Sequence, residues 1–306
     1  MNTRILDGKK TAAAIQAEAR EELQALKTQG LVPGLTVVLV GDNPASQVYV
    51  RNKIRTCEEV GLKSEAVRLP ASTSTEELLE VIRKLNENEE VDGILVQLPL
   101  PGQIEEEEIL EAIRPDKDVD GLHACNTGRL CQGKPVLAPC TPMGIMEMLR
   151  REEIPISGSH AVVIGRSNLV GKPMALLLLH AHATVTVCHS RTRDLAGMCR
   201  TADILVAAVG RPALVTREYI KEGAVIVDVG TNVIKEEEEA IRLFGAASPR
   251  VIKIREKGYT LIGDVHPRDP LGLASALTPV PGGVGPLTIA HLIKNAVTAC
   301  RLRRGR

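Results

Sequence analysis

Short apolar runs alternate with longer segments of helical periodicity along most of the chain. The runs are mostly aliphatic and lack the polar spacing of a helix, which is typical of strands buried on both faces of a parallel sheet. We predict strands at residues 35–40, 64–69, 92–98, 161–165, 184–189, 203–209, 224–229 and 261–265.

Between these runs, apolar residues recur at every third or fourth position and predict helices. Asn43 and Ser74 are favoured N-caps, Pro44 and Pro173 suit a first helical turn, and Gly30 is a typical stop. We predict helices at residues 10–29, at 143–151, at 174–180 and at 289–301, a helix that begins at residue 44, and a helix that runs from the Ser74 cap to about residue 88.

Two segments give weaker signals. We expect a surface helix and a strand within 235–258, whereas 278–288 is too rich in Gly and Pro for regular structure.

The alternation of strand and helix predicts an α/β fold with parallel sheets. With 306 residues the chain is long enough for two domains, and its 44% hydrophobic content supports real cores. Ligands of such folds bind beyond the carboxyl ends of the strands. We therefore expect segments 42–53 and 97–101, which follow two strands, to face one crevice.

Residues 161–192 carry the clearest local pattern, which is a strand, a glycine-rich turn, a helix and a second strand. Gly165, Arg166, Ser167 and Gly171 belong to the turn. Such a turn directs free backbone N–H groups and the positive end of the helix towards a phosphate. The glycine spacing differs from the usual dinucleotide fingerprint, so the turn alone fits either dinucleotide binding or a tight strand-to-helix connection.

The end of the second strand favours a phosphorylated dinucleotide. An NAD site usually has Asp or Glu about 20 residues after the turn, where it holds the ribose hydroxyls. This chain has His189, Ser190, Arg191 and Thr192 there instead. Because a cation and a hydroxyl suit a 2′-phosphate, and Arg166 lies in the turn, we expect NADP as the cofactor.

Charge and cysteine content restrict the function classes. The formal net charge is zero, so nothing favours nucleic acid or an anionic membrane as the partner. The C-terminal tail is basic, with Arg301, Arg303, Arg304 and Arg306, and we interpret these cations as a complement to the negative end of a helix dipole.

The seven cysteines include no C-x-x-C pair, which argues against a disulfide framework and against a zinc site. No signal peptide and no apolar run of about 18 residues is visible, so we expect a cytoplasmic protein without metal.

Two short motifs have an ordinary structural interpretation when each is taken alone. Ser46, Tyr49 and Lys53 fall on the helix after residue 44, with Tyr49 and Lys53 on one face. Most helical lysines are solvated, so a surface lysine beside a half-buried tyrosine is the simple interpretation. The segment 117–121 has two carboxylates and fits a polar linker between domains, because a metal would need more oxygen ligands.

Several segments together resemble the bifunctional methylenetetrahydrofolate dehydrogenase and methenyltetrahydrofolate cyclohydrolase (FolD) family. Any one motif is a weak signal, but seven in order along nearly the whole chain are highly specific. They are Ser46-x-x-Tyr49-x-x-x-Lys53, Gln97-Leu98-Pro99-Leu100-Pro101, Lys117-Asp118-Val119-Asp120-Gly121, Pro139-Cys140-Thr141-Pro142, Gly165-Arg166-Ser167 with Gly171-x-Pro173, Asp228-Val229-Gly230 and Pro281-Gly282-Gly283-Val284-Gly285-Pro286.

The resemblance implies two domains separated by a cleft. A three-layer α/β folate-binding and catalytic domain would span residues 1–138, completed by the C-terminal helix 286–306, and a Rossmann NADP-binding domain would span 139–285. The implied activity is oxidation of 5,10-methylenetetrahydrofolate with NADP, followed by hydrolysis of the methenyl product to 10-formyltetrahydrofolate. The implied partners are the folate substrate and a second copy of the chain in a homodimer.

The resemblance also implies roles for individual residues. Lys53 would be the catalytic lysine with Gln97 as its hydrogen-bond partner, Tyr49 would lie against the aminobenzoyl group, and Asp120 would read the pterin. A carboxylate accepts well from the amino and ring N–H groups of a pterin. Further implied substrate contacts are Ser46, Leu98, Pro281, Gly282 and Gly283. The implied cofactor contacts are Gly165, Arg166, Ser167, Val170, Gly171, Pro173, Ser190, Arg191, Thr192, Gly210, Thr231, Cys140 and Thr141.

Three features depart from the family pattern. Leu287 stands where Met or Phe is usual, His266-Pro267 replaces Asp-Phe, and segment 235–258 is longer than usual. None of them touches the implied catalytic set. They leave open the shape around the last predicted strand and any role for Asp264 or His266.

Two other function classes remain as alternatives. A dehydrogenase-like protein that binds NADP but lacks the hydrolytic activity would leave Lys53 exposed. A dehydrogenase of a small acid or amino acid would need a His or Lys base beside a carboxylate-binding Arg, and the N-terminal part of the sequence has no such pair.

Overall fold

The computed structural model describes residues 2–305, which divide into two compact units. The six-stranded unit contains residues 2–11 and 141–288, and the three-stranded unit contains residues 12–140 and 289–305. Met1 and Arg306, which end the predicted domain ranges, lie outside the described residues. The assignment of a separate function to each predicted domain stays a prediction.

The predicted alternation of strand and helix is present in much of the chain, but α4, α5 and α6 follow one another without a strand between them. The strands are β1 (Arg4–Ile5), β2 (Gly34–Val40), β3 (Lys63–Leu69), β4 (Gly93–Val96), β5 (His160–Ile164), β6 (Thr184–Cys188), β7 (Ile204–Ala207), β8 (Val225–Asp228), β9 (Asn232–Ile234), β10 (Thr260–Ile262) and β11 (Ala276–Leu277). The α-helices are α1 (Gly8–Thr28), α2 (Pro44–Val60), α3 (Thr75–Glu87), α4 (Glu106–Ala112), α5 (Ala124–Cys131), α6 (Cys140–Arg151), α7 (Gly171–His180), α8 (Leu195–Cys199), α9 (Glu237–Phe244), α10 (Pro249–Lys257) and α11 (Val284–Arg304).

The three-stranded unit has three layers around the parallel sheet β3-β2-β4. Every residue of β2 is buried, as the apolar run predicts. Leu35, Val37 and Leu39 contribute to a core shared with α1, α2 and α11. Val38 and Val40, on the opposite face, contribute to a core shared with α3 and α4. The sheet is therefore covered by helices on both sides.

The six-stranded unit is built on one parallel sheet with the order β1-β11-β8-β7-β5-β6. All of β7 and β8 and most of β5 are buried, which agrees with the apolar runs predicted there. Because the strands are parallel, the carboxyl ends of β5, β6, β7 and β8 lie at one edge of the sheet. This Rossmann-type arrangement confirms the predicted fold class.

The strand predicted at 261–265 is confirmed only in part. β10 covers its beginning and pairs antiparallel with β9 in a separate two-stranded ribbon, so it is not the last strand of the main sheet. The main sheet ends instead with β11 and β1, which the sequence analysis did not identify. Each has two residues, which is too short to show a hydrophobic period.

Segment 235–258 forms two helices, so the strand expected within it is wrong. Ser248 caps α10, and Pro249 is its first residue. The two helices enclose a small core of their own with the β9–β10 ribbon, formed by Ile234, Ala240, Leu243, Val251, Ile254 and Ile262.

The last helix begins earlier than predicted. α11 starts at Val284, inside the segment expected to be irregular, and includes Pro286 in its first turn. The N–H groups of a first turn have no partner within the helix, so a proline there removes no hydrogen bond. Within residues 2–305, no helix combines the length and apolar character needed to cross a membrane.

Candidate active site

Lys53 lies on the buried face of α2. Ser46, Val50, Lys53 and Cys57 recur at spacings of three and four residues, and their exposed fractions are 4%, 0%, 8% and 0%. Such a spacing places the four side chains in one stripe, and Val50 and Cys57 belong to the core of the three-stranded unit. The simple interpretation of Lys53 as a solvated surface lysine is therefore wrong.

The structure brings Lys53 and Gln97 together. Lys53 Nζ donates a hydrogen bond of 3.0 Å to Gln97 Oε1. Gln97 Nε2 donates to the Leu98 carbonyl oxygen at 2.7 Å, which fixes the orientation of the amide. The Gln97 backbone N–H donates to the carbonyl of Val38 in the central strand. The Gln97 acceptor is thus held by the sheet and aimed at the lysine.

Tyr49 and Ser46 lie on α2 one and two turns before Lys53. Tyr49 is 43% exposed and offers its ring to a ligand, whereas Ser46 is buried. The Ser46 N–H donates to Asn43 Oδ1 at 3.1 Å. Asn43 therefore caps the start of α2, as the sequence predicts.

Two buried charged residues fix the loop 117–121. Lys117 is fully buried, and its Nζ donates at 2.8–2.9 Å to the carbonyl oxygens that end α3, which are those of Leu85, Asn86 and Asn88. Asp118 Oδ2 accepts from His123 N at 2.9 Å and from Asn126 Nδ2 at 2.8 Å. The loop is therefore a fixed part of the three-stranded unit, and its interpretation as a polar interdomain linker is wrong.

Asp120 projects from this fixed loop and is half-buried. The next residue, Gly121, has φ +70°, and a Cβ there would lie 2.5 Å from the Ala138 carbonyl carbon. Only glycine fits this close approach. The backbone is thus held on both sides of Asp120, so its carboxylate is presented with little freedom.

Cys140 lies beside the Lys53 and Asp120 side chains. Burial raises the pKa of the Cys140 thiol well above its usual range, the Asp120 carboxylate raises it further, and Lys53 opposes both effects. The thiol donates to the Val119 carbonyl oxygen at 3.3 Å, and Asn295 Nδ2 donates to the same oxygen at 2.8 Å. Cys140 is an inert buried thiol in the three-stranded unit, and its contact with the cofactor stays a prediction.

In the six-stranded unit, the turn after β5 depends on close backbone contacts. Gly165 has φ +124°, and a Cβ there would lie 2.2 Å from the Ala208 carbonyl oxygen. A Cβ on Gly171 would lie 2.3 Å from the Gly165 carbonyl oxygen. Ser167 Oγ accepts from the N–H groups of Val170 and Gly171 at 3.1 and 3.4 Å. The turn is therefore compact, and α7 begins at Gly171, before the predicted position, with Pro173 buried in its first turn.

The ends of β5 and β6 meet at the edge of the sheet. The Gly165 N–H donates to the Cys188 carbonyl oxygen at 2.8 Å. Arg166 comes after β5 and Gly165, and Ser190 and Arg191 come after β6 and His189; all three side chains are exposed. The two guanidinium groups and one hydroxyl are suited to a phosphate.

The turn after β6 is closed by its own side chains. The His189 N–H donates to Thr192 Oγ1 at 2.9 Å, and the Arg191 N–H donates to His189 Nδ1 at 3.1 Å. The first carboxylate beyond it, Asp194, caps α8 by accepting from Gly197 N at 3.0 Å. No carboxylate in residues 189–193 competes with a phosphate there.

Asp264, for which sequence analysis found no role, joins two loops at the same sheet edge. It is fully buried, and Oδ2 accepts from the N–H groups of Val209 and Gly210 at 2.6 and 3.0 Å. Oδ1 accepts from Arg211 N and Asn232 Nδ2, both at 2.9 Å. The loops that carry the predicted cofactor residues Gly210 and Thr231 are thus tied to one carboxylate.

Asp228, at the end of β8, supports Asp264 in turn. Its carboxylate accepts from the N–H groups of Asp264 and Val265 at 2.8 and 3.0 Å and from Gly230 N at 3.0 Å. Burial raises the pKa of Asp228 to about 7, and the Asp264 charge contributes to the rise. Two carboxyl groups thus share a site closed to water.

The loop before α11 contains the predicted substrate residues Pro281, Gly282 and Gly283. Pro281 is exposed, Gly282 has φ +106°, and the Gly283 N–H donates to the Pro279 carbonyl oxygen at 2.8 Å. A Cβ on Gly8 would lie 1.6 Å from the Gly283 carbonyl oxygen, so the loop touches the start of α1 directly. Beyond it, Thr288 Oγ1 lies 2.8 Å from Oγ1 of the predicted cofactor residue Thr141.

Within residues 2–305, no three His, Cys, Asp or Glu side chains are grouped so that they could hold a metal ion. Asp118 and Asp120, the closest pair of carboxylates in the motifs, differ in role. Asp118 is occupied by hydrogen bonds, whereas Asp120 remains half-exposed.

Two family models match the chain. Residues 6–120 match the catalytic domain of tetrahydrofolate dehydrogenase/cyclohydrolase, and residues 139–304 match its NAD(P)-binding domain. A curated relative, the Bifunctional protein FolD of Solibacter usitatus (strain Ellin6076), is 53% identical over 302 residues, which cover 99% of each protein.

Solved structures extend this likeness to three dimensions. The bifunctional enzyme FolD-methylenetetrahydrofolate dehydrogenase/cyclohydrolase of Campylobacter jejuni is 43% identical, with a TM-score of 0.88 over 98% of this chain and 99% of that one. The Trypanosoma brucei methylenetetrahydrofolate dehydrogenase-cyclohydrolase, solved with NADP cofactor and inhibitor, is 39% identical, with a TM-score of 0.89 over 99% of this chain and 98% of that one.

The Asp228 carboxyl predicts a pH dependence of stability. Its folded pKa of about 7 lies above the value of about 3.9 expected in an unfolded chain. Between these values the folded chain holds a proton that the unfolded chain releases, so this stabilisation is present at low pH and is lost as the pH rises through about 7. From about pH 5 to pH 8, we expect the unfolding free energy of the parent to fall by about 2 kcal/mol relative to Asp228→Asn.

Urea denaturation of both proteins at each pH measures this difference. A difference that stays constant across the range would contradict the raised pKa.

Proposed function

Since this chain belongs to the tetrahydrofolate dehydrogenase/cyclohydrolase family, we propose that Lys53 moves the protons of the hydrolytic reaction and that Gln97 holds it in place. The observation that carries this proposal is the 3.0 Å hydrogen bond from Lys53 Nζ to Gln97 Oε1 on a buried helix face. Lys53 is 8% exposed, which argues against a dehydrogenase-like protein without hydrolytic activity, because that alternative expects an exposed lysine.

The chain is a bifunctional enzyme of one-carbon metabolism. It oxidises 5,10-methylenetetrahydrofolate to 5,10-methenyltetrahydrofolate, and it hydrolyses the methenyl compound to 10-formyltetrahydrofolate. The cofactor is NADP, which accepts a hydride when bound.

Hydrolysis requires proton movement, and Lys53 is the group that supplies it. The water that attacks the methenyl carbon loses a proton, and the ring nitrogen that leaves that carbon gains one. The Lys53 amine takes the first proton and returns one to the nitrogen. Gln97 keeps the lysine nitrogen in one position through both steps, because its own amide is fixed by the Leu98 carbonyl.

The remaining residues of the three-stranded unit bind and orient the folate. Asp120 accepts hydrogen bonds from the amino and ring N–H groups of the pterin, and the fixed loop around it supports this role. The half-exposed Tyr49 ring lies against the aminobenzoyl group. Ser46 and Leu98 are further proposed folate contacts. Pro281, Gly282 and Gly283 are also proposed to contact the folate.

The six-stranded unit holds the cofactor. Arg166, Ser190 and Arg191 bind its 2′-phosphate, which is supported by their exposure at the joined ends of β5 and β6. The compact turn of Gly165, Ser167, Val170, Gly171 and Pro173 receives the diphosphate at the start of α7. The other proposed cofactor contacts are Thr192, Gly210, Thr231, Cys140 and Thr141.

We further propose that the enzyme works as a homodimer in the cytoplasm. The family resemblance supports the dimer. Sedimentation equilibrium would test it, and the expected mass is twice the chain mass.

All seven cysteines are free thiols, which suits a reducing compartment. Cell fractionation with a cytoplasmic marker would test the location.

Lys53→Met should abolish hydrolysis while it preserves oxidation. The methionine keeps the length and burial of the side chain but cannot carry a proton, so we expect hydrolysis of methenyltetrahydrofolate to fall by at least about 100-fold. Oxidation depends mainly on positioning the substrate, so NADP binding and part of the dehydrogenase activity should remain. Methenyltetrahydrofolate should therefore accumulate, which its absorbance measures.

Two variants make this experiment specific. Lys63→Met removes a lysine whose side chain is 59% exposed, and both activities should be unchanged. Asp120→Ala should instead raise the folate KM in both activities, because it removes a charged acceptor from the pterin. If Lys53→Met still hydrolyses methenyltetrahydrofolate faster than buffer does, Lys53 is not the proton shuttle.

Arg191→Asp should erode or reverse the preference for NADP over NAD. The change removes one cation and places a carboxylate beside the proposed 2′-phosphate position. We expect the ratio of the two dissociation constants to change by roughly 10- to 100-fold, the size of a hydrogen bond to a charged group. Titration of both cofactors into the variant measures this ratio. Arg193→Asp, exposed two residues further on, is the matched control, and an equal effect in both variants would mean that the phosphate binds elsewhere.

A further inference from the structure

The segment that contains α9 and α10 reaches the loop before α11 through the side chain of Arg250. Arg250 lies in the first turn of α10, and its Nη2 donates to the carbonyl oxygen of Val280. Val280 directly precedes Pro281, Gly282 and Gly283, the proposed folate contacts of the six-stranded unit. The segment that contains α9 and α10 therefore contacts a loop of the proposed folate site.

The surroundings of Arg250 hold its guanidinium in place. The side chain is half-buried, and its Cζ lies 5.7 Å from the centre of the Phe244 ring at the end of α9. Phe244 is the one phenylalanine of the chain, and a cation over such a ring is stabilised by the ring electrons. Burial lowers the pKa of Arg250 from its usual value, and within residues 2–305 no carboxylate charge opposes this effect. The guanidinium thus depends on the ring and on the Val280 carbonyl.

The middle of this loop has few backbone hydrogen-bond donors that could hold it in place. Pro279 and Pro281 have no N–H to donate. The beginning is fixed at Thr278, whose N–H donates to the Ile226 carbonyl and whose Oγ1 accepts from Asp228 N at 2.7 Å. The end is fixed at Gly283, whose N–H donates to the Pro279 carbonyl at 2.8 Å. Between these ends, Arg250 supplies the hydrogen bond to Val280.

We propose that Arg250 is a positioning residue for the folate substrate, which acts by holding the Val280 carbonyl and thereby the loop of Pro281, Gly282 and Gly283. This inference rests on the proposed contact between that loop and the folate. It assigns a function to the segment that contains α9 and α10, which is to set the position of a substrate loop from outside the main sheet.

The test is a comparison of Arg250→Met, Arg250→Lys and Arg255→Met in the full-length enzyme. Arg250→Met keeps a long side chain against Phe244 but loses the donor, so we expect the folate KM to rise about three- to tenfold in both activities. The kcat values and the NADP dissociation constant should stay within about twofold of the parent. Arg250→Lys keeps a cation and a donor and should restore most of the affinity. Arg255→Met, on the same helix, removes an exposed side chain bound to Glu237 and is the matched control.

Hydrogen–deuterium exchange gives a readout without substrate. The amides of Thr278, Val280, Gly282 and Gly283 report on the loop, and they should exchange faster in Arg250→Met while the rest of the protein matches the control. A loop exchange rate and a folate KM equal to those of Arg255→Met would overturn the proposal. Faster exchange throughout the six-stranded unit, with lower kcat at unchanged KM, would also overturn it, because it indicates a purely structural role.

Gly282→Ala separates this inference from the proposed function on which it rests. Gly282 has φ +106°, so a side chain there strains the loop. If the loop contacts the folate, Gly282→Ala should raise the folate KM. An unchanged KM in this variant would refute the folate contact, whereas a raised KM here with an unchanged KM in Arg250→Met would refute the positioning role alone.

Discussion

The hydrogen bond between Lys53 and Gln97 is the interaction on which the proposed hydrolytic mechanism depends. A lysine on the core-facing side of a helix is costly unless its nitrogen has a partner. The partner is a neutral amide, held at 3.0 Å by its own bond to the chain. The amide oxygen accepts a hydrogen bond from the lysine nitrogen and therefore sets the position of that nitrogen.

In each unit, buried charged side chains hold the loops that carry the proposed site residues. Lys117 and Asp118 bind backbone carbonyl and side-chain groups around the Asp120 loop, and Asp264 binds three backbone N–H groups beside Gly210. Irregular backbone has no ladder of its own to satisfy its polar groups, so buried side chains must do so. The side chains that these loops carry therefore lose little conformational freedom when a ligand binds. This favours both the affinity for the ligand and a fixed orientation of the ligand.

The sequence predicts those parts of the fold that depend on local pattern. The apolar runs locate the main strands, and Ser74 and Asn43 mark real helix starts. The burial of Lys53 could also be predicted from the sequence, because Lys53 shares the 46-50-53-57 spacing with Val50 and Cys57. The roles of Asp264 and Arg250 could not be predicted from the sequence. Their hydrogen-bond partners lie 30 to 55 residues away along the chain, and the register between the segments is set only by tertiary packing. The two-residue strands β1 and β11 could not be predicted from the sequence either, because each is too short to show a pattern.

A crystal structure of the enzyme with NADP and a bound folate analogue would test the central claim most directly. The measured quantity is the position of Lys53 Nζ relative to the one-carbon bridge of the folate. We expect Lys53 to remain bonded to Gln97 and its Nζ to lie about 3 Å from the bridge, or to reach it through one ordered water. A bridge bound beyond the reach of Lys53, with another protonatable side chain against it, would rule out Lys53 as the proton shuttle.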